Sequence, residues 1–158
     1  MRIREIQEKD NNSLFLLIRK SLEDAELNIP GTAYFDESIK AMSEYYKGYP
    51  KRKYFVVVDE NDEVLGGAGF AEFNNNDSVA ELQKLYIFEH ARGKGLGCKL
   101  VKIVEEEAEV VRKIFTWFSE GDGTHRIARK LEAEGTPTFR YSNGWSNTVI
   151  LRILRNEK

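Results

Sequence analysis

Apolar positions along the chain recur with two periods. Leu14, Leu17, Ile18 and Leu22 fall three and four apart, the spacing of one helix face, and Asp10 to Asn12 ahead of them supply capping side chains. "IPG" at 29–31 breaks that helix, and a second is expected over 36–46, ended by "KGYP". Alternation marks "RIREI", residues 2–6, as a short strand. "KYFVVV", the turn "DEND" and "EVLGGAGFAEF" read as a strand, a turn and a returning strand. Gly66 and Gly67 inside the returning strand predict a bulge or a close backbone approach. "NNND" turns the chain into "VAELQKLYIF", the next strand. Helical spacing returns at Leu96, Leu100, Ile103, Val104, Ala108 and Val111. Beyond it, 113–118 ("KIFTWF") reads as a strand and 124–134 as a short helix stopped by Gly135. "TFRYSNGWSNTVILRIL" reads as two strands about the Asn143-Gly144 turn signal. The order β-α-α-β-β-β-α-β-α-β-β predicts one α/β domain over 1–158, with a mixed, mostly antiparallel sheet.

Composition narrows the function classes. The 158 residues suffice for one domain with a real core. A net charge of −2 gives no global basic field for nucleic acid. No apolar run approaches the roughly 20 residues of a membrane span, and "MRIREIQEKD" lacks the apolar segment of a signal peptide. Cys98 is the only cysteine, so no intrachain disulfide can form, and His90 and His125 have no ligand cluster near them, so no metal is expected. These features point to the cytoplasm, with neither a membrane nor a nucleic acid as partner.

Candidate chemistry concentrates in "EHARGKGLGCKL", residues 89–100, between a strand and a helix. It is not a P-loop: no glycine stands five positions before Gly93, and Gly95 takes the place of the Ser/Thr that should follow Lys94. It imitates a dinucleotide loop, with Glu120 as the ribose-binding acid, but Cys98 stands where the third glycine belongs and antiparallel hairpins precede it. The third reading is Arg92-x-x-Gly95-x-Gly97. A helix N-terminus offers unpartnered backbone N–H groups to a pyrophosphate, glycines let it approach, and Arg92 and Lys94 add charge.

With that pattern, "ELQKLYIFEHARGKGLGCKL" resembles the fourth strand, coenzyme A loop and third helix of the GCN5-related N-acetyltransferase (GNAT) family, and the order of elements is similar across nearly the whole chain. The resemblance implies a GNAT fold, helices on both faces of a twisted sheet and a splay between its fourth and fifth strands. It implies acetyl-CoA as cosubstrate, held by Arg92, Gly93, Lys94, Gly95, Leu96, Gly97 and Cys98, with pantetheine beside the backbones of Leu85, Tyr86 and Ile87. It implies direct transfer of the acetyl group to an amine within a ternary complex.

Some family members carry a catalytic glutamate where Glu81 stands, eleven residues before Arg92, which makes Glu81 the candidate general base, in a partly buried setting. Gln83 falls on the same strand face unless a bulge intervenes. Many members donate a proton to the leaving thiolate from a tyrosine on the fourth helix; in "HRIARKLEAEGTP" Ala128 matches the pattern, but Glu132 stands in the tyrosine's place. Tyr141 is the substitute candidate acid. Cys98 as a nucleophile and His125 as a catalyst are weaker alternatives, and "EEEAE" at 105–109 reads as a solvated helix face.

The resemblance implies that the first two helices and their connection, with the C-terminal hairpin, wall the acceptor. There Tyr34, Phe35, Tyr45, Tyr46 and Tyr49 are interspersed with Glu26, Asp36, Glu37 and Glu44, which suits a cationic amine and equally a packed helix with a charged exterior. The resemblance implies a small-molecule or peptide amine as acceptor, and pairing through strand edges into a homodimer. The rivals are a non-catalytic acyl-CoA-binding module and a nucleotide-binding loop.

Overall fold

The computed structural model describes residues 1–47, 49, 51–73, 76–138 and 144–155. Four strands form one sheet in the order of the chain: β1 (Arg2–Glu5), β2 (Lys53–Val58), β3 (Val64–Phe73) and β4 (Asn76–Ile87). Every pairing is antiparallel. Among the described residues five α-helices accompany it: α1 (Asn11–Asp24), α2 (Met42–Lys47), α3 (Leu96–Ser119), α4 (Thr124–Ala133) and α5 (Asn147–Arg155). The helix expected over 36–46 is split into a 3-10 turn at Glu37–Ala41 and α2.

β2 is buried on both faces, so its run of apolar residues does not need to alternate. Tyr54, Val56 and Val58 face α1, whose Leu14, Leu17, Ile18 and Leu22 are the four residues that the helical spacing selects. Phe55 and Val57 face the opposite way, onto Leu96, Leu100 and Val104 of α3. Helices therefore cover both faces, as expected. The end of α3 joins α4 and α5 in a third cluster around Ile114, Ile127, Leu131, Trp145 and Ile150.

The fifth strand expected at 113–118 is instead the last part of α3. Leu100, Val104, Glu107, Val111 and Ile114 are buried at spacings of four, three, four and three, so one helical face continues through the segment, while Phe118 is half exposed. Without that strand, the described residues form neither a mixed sheet nor a splay between strands four and five, and β4 is the sheet's edge. The second C-terminal strand is also corrected: residues 147–155 are α5, which buries Ile150 and Ile153 one turn apart. The β-branched "TVI" favours a strand by propensity, but packing against α4 decides otherwise. Residues 139–143, and with them Tyr141, lie outside the described residues.

The acidic run at 105–109 is not a uniformly solvated face. Glu107 points inward, 5% exposed, and forms an ion pair with Lys53 of β2. None of the helices among the described residues is long and apolar enough to cross a membrane.

Candidate active site

The site grows from an irregularity in β4. Gly69 faces Gln83 and Gly67 faces Tyr86, so the two residues Lys84 and Leu85 stand opposite the single residue Ala68. Lys84 has φ 51, in the left-handed region. In a regular strand, residues five apart point to opposite faces. The extra residue reverses this: Glu81 faces Ala71, Gln83 faces Gly69 and Tyr86 faces Gly67, so all three share the α1 side of the sheet. Tyr86 accordingly packs on the α1 cluster, whereas Ile87 packs on the α3 cluster.

On that face the side chains form a chain of hydrogen bonds. The Tyr46 hydroxyl donates to Gln83 Oε1 at 3.2 Å, and Gln83 Nε2 donates to Glu81 Oε2 at 3.0 Å. Burial pushes the phenols of Tyr46, Tyr45 and Tyr86 upward, so each remains a protonated donor at neutral pH. Glu81 itself is exposed, unlike the partly buried base that the sequence suggested. Burial also pushes the Asp36 carboxyl up, but hydrogen bonds from Ser38 and Lys84 outweigh it and hold it below the usual range. Arg52 binds Glu72 through Nε at 2.8 and 3.0 Å and lies over the rings of Tyr45 and Tyr49, 4.6 and 4.0 Å from their centroids. Of the expected acceptor-side aromatics, Tyr46 therefore meets β4 through Gln83, while Tyr45 and Tyr49 gather about Arg52. Tyr34 instead packs under Arg19 of α1, with Phe35 edge-on to it.

The glycine loop follows directly from β4. A 3-10 turn at Glu89–Ala91 leads through Arg92 to Gly95, the N-cap of α3. Gly93 and Gly95 have φ 76 and 70, conformations that other residues adopt at a cost. No side chain caps α3, so the backbone N–H groups of its first turn, at Leu96, Gly97 and Cys98, remain available. Arg92 Nε donates to the Ile87 carbonyl at 3.1 Å and ties the loop to the end of β4. Arg92, Gly93, Lys94, Gly95 and Cys98 are exposed, while the Leu96 side chain is buried, so Leu96 can offer only its backbone. This uncapped, glycine-flanked helix end with two cationic side chains fits a pyrophosphate. Leu85 is 37% exposed and Tyr86 and Ile87 are half-buried, on the strand that leads into the loop.

One concavity borders the strand and another lies beside β1, β2 and α2. A groove of about 750 Å³ lies between β4 and α3, lined by Phe70, Ala80, Leu82, Val101, Val104 and Val111 among others. A second, of about 340 Å³, includes Glu44, Tyr46, Tyr49, Arg52, Tyr54 and Arg152. Neither is lined by Glu81 or by the glycine loop; Glu81, Arg92, Gly93, Lys94 and Gly95 are exposed. His125 and Cys98 stand exposed on α4 and α3, and Glu132 is exposed on α4. Tyr54, Lys84 and Arg52 have no motif of their own in the sequence; the spacing of Gly67 and Gly69, two apart on one strand face, marks the space that the Tyr54 ring fills.

A family model described as "Acetyltransferase (GNAT) family" matches residues 18–131, more than half of the chain, and the chain belongs to that family. A second model, described as Recombinase, matches residues 105–158, less than half of the chain. The chain is 33% identical over 109 residues to an uncharacterized N-acetyltransferase of Escherichia coli (strain K12), YjgM; the match covers 67% of this chain and 64% of that protein, so it spans less than two thirds of the relative's length. Among solved structures, an acetyltransferase of the GNAT family from Staphylococcus aureus Mu50 matches with a TM-score of 0.57 at 18% identity, over 68% of this chain and 65% of that one. A GNAT superfamily phosphinothricin acetyltransferase from Sinorhizobium meliloti, in complex with AcCoA, matches with a TM-score of 0.57 at 24% identity, over 70% and 60%. These two likenesses are of fold, the α/β fold described above.

Proposed function

We propose that this chain is an acetyl-CoA-dependent N-acetyltransferase that transfers the acetyl group directly to a primary amine of a small molecule or peptide. The observation that carries the reading is the continuity of β4: one strand bears Glu81 and Gln83 on the face of Tyr46 and runs into the uncapped glycine loop. The N-acetyltransferase description of YjgM and the AcCoA in the Sinorhizobium structure support it.

The chemistry follows from the amine. An alkylammonium has a pKa of about 10, so at neutral pH it must lose a proton before it can attack. Glu81, with Gln83 fixing its carboxylate, takes that proton. The amine nitrogen bonds to the carbonyl carbon, the C–S bond breaks, and coenzyme A leaves as a thiolate that takes a proton from solvent. A backbone N–H of β4 polarises the thioester carbonyl. Arg92, Lys94 and the N–H groups of Leu96, Gly97 and Cys98 hold the phosphates, and Leu85, Tyr86 and Ile87 run beside pantetheine. Tyr141, the candidate acid, is not required by this scheme, because coenzyme A is a tolerable leaving group.

A second reading is a non-catalytic module that binds acyl-CoA. It is favoured by Glu132 on α4, in place of the family's tyrosine, and by the exposure of Glu81. Thiol release from acetyl-CoA separates the two, measured with spermidine, glucosamine, glycine and a peptide with a free N-terminus. Amine-dependent release supports the enzyme; acetyl-CoA binding without release from any of the four supports the module.

A further inference from the structure

The bulge in β4 is strained by a lysine in the left-handed region and lies on an edge strand, which has no second neighbour among the described residues to hold it. Its carbonyl nevertheless has a partner from two strands away. The Tyr54 hydroxyl, rooted in β2, donates to the Lys84 carbonyl at 2.8 Å. To reach it, the ring must lie flat across β3. Gly67 and Gly69 cut the trough that allows this: a Cβ on Gly67 would stand 2.5 Å from Tyr54 Cε1, and one on Gly69 would stand 2.6 Å from Tyr54 Cδ2. The Tyr46 ring covers Tyr54 at 5.1 Å between centroids, and its own hydroxyl meets Gln83, one residue before Lys84. Two phenols in tilted contact thus hold adjacent residues of β4, one by its backbone and one by its side chain.

We infer that Tyr54 is a positioning residue for acetyl transfer: its hydroxyl holds the Lys84 carbonyl, which fixes the bulge that turns Glu81 and Tyr86 to one face of the sheet. Tyr54 is buried and touches no reacting atom in this scheme; it acts through β4. Burial pushes its phenol well above the usual range, so the hydroxyl remains a donor throughout the working pH range. An unpartnered carbonyl at this point would leave the strand free to straighten, which would turn Glu81 away from the segment beside pantetheine.

The inference rests on the proposed function for its catalytic consequence, but not for its structural one, so two readouts are needed. Tyr54→Phe keeps the ring in its trough and removes only the hydroxyl. Amide hydrogen exchange at 83–86 is expected to quicken ~10-fold or more while that of β1 and β2 stays unchanged. The kcat with acetyl-CoA and the amine used by the wild type is expected to fall ~10-fold or more, with the coenzyme A Kd within about twofold and a displaced pH profile of kcat/KM. Unchanged exchange at 83–86 overturns the inference, as does quickened exchange with kcat and its pH profile intact. A wild type that binds no coenzyme A overturns the proposed function instead, and the exchange result still decides whether Tyr54 holds the bulge. If Tyr54→Phe does not fold, Lys84→Gly decides: glycine takes φ 51 without strain, so with Tyr54 in place slow exchange at 83–86 is expected to persist, and its loss overturns the pin.

Discussion

The Tyr46 hydroxyl donates to the side chain of Gln83 at 3.2 Å, linking a buried residue of α2 to the exposed face of the edge strand. Gln83 then has its amide free to hold Glu81, and the carboxylate is oriented without being buried. Gln83→Leu is expected to lower kcat/KM about tenfold while leaving the acetyl-CoA Kd within about twofold, because it removes an orienting bond and no cofactor contact. Steady-state kinetics alongside calorimetric titration checks this, and equal losses in both would move Gln83 into the cofactor site.

Glu81→Gln keeps the shape of the side chain and removes the base. Near neutral pH, kcat/KM is expected to fall ~10²-fold or more, with an altered pH profile. A variant whose profile superimposes on that of the wild type removes Glu81 from the mechanism.

The loop is open to a direct steric test. A Cβ on Gly97 would find only Ile87 Cδ1, at 3.8 Å, so a side chain there disturbs the phosphate approach without crowding the core. Arg92→Ala combined with Gly97→Trp is expected to abolish coenzyme A binding and leave the circular dichroism spectrum unchanged. Retained affinity would contradict the assignment of the loop.

Glu107 faces inward beside Lys53, and its removal strands a nearly buried ammonium. Glu107→Ala is expected to destabilise the chain by about 3 kcal/mol in urea unfolding, whereas an exposed glutamate of the same helix, Glu105, should cost less than about 0.5 kcal/mol. Similar losses at the two positions would mean that the pair does not form.

Stability should fall in acid. Arg52 holds the Glu72 carboxyl below its usual range, Lys130 does the same for Asp122 and Arg2 for Asp62, and Asp36 is held low by Ser38 and Lys84 despite its burial. Folded-state values below the unfolded ones mean that this stability is fully present above the unfolded carboxylate range, near pH 4, and is lost as pH falls through the folded values. The urea midpoint is expected to hold from pH 7 to about 5 and to drop steadily below pH 4. A midpoint that rises in acid would reverse the sign.

The first half of the fold was legible because its signals were local. Leu14 to Leu22 mark α1 by spacing alone, and the long apolar strands are bounded by strong turn residues. The glycine loop was legible for the same reason. The second half misled because short apolar runs carry no unambiguous period. "KIFTWF" suits a strand, and only the continued burial of Val111 and Ile114 shows that α3 runs through it. "TVILRIL" is β-branched, yet it folds as α5 under packing from α4. At the site, Glu81, Gln83 and Tyr46 could be named from the sequence, but the one chain of hydrogen bonds that they form could not. Which residues share their face depends on a one-residue bulge at Lys84, and the Tyr54 that pins it lies thirty residues away.

The central claim is that the glycine loop at the end of β4 binds acetyl-CoA. Calorimetric titration of the intact chain with acetyl-CoA, with coenzyme A and NAD as comparators, tests it most directly. Saturable binding of acetyl-CoA and coenzyme A in the micromolar range, with none of NAD, is the predicted result. Absence of acetyl-CoA binding, or binding of NAD in its place, would contradict the account and remove the acetyltransferase reading.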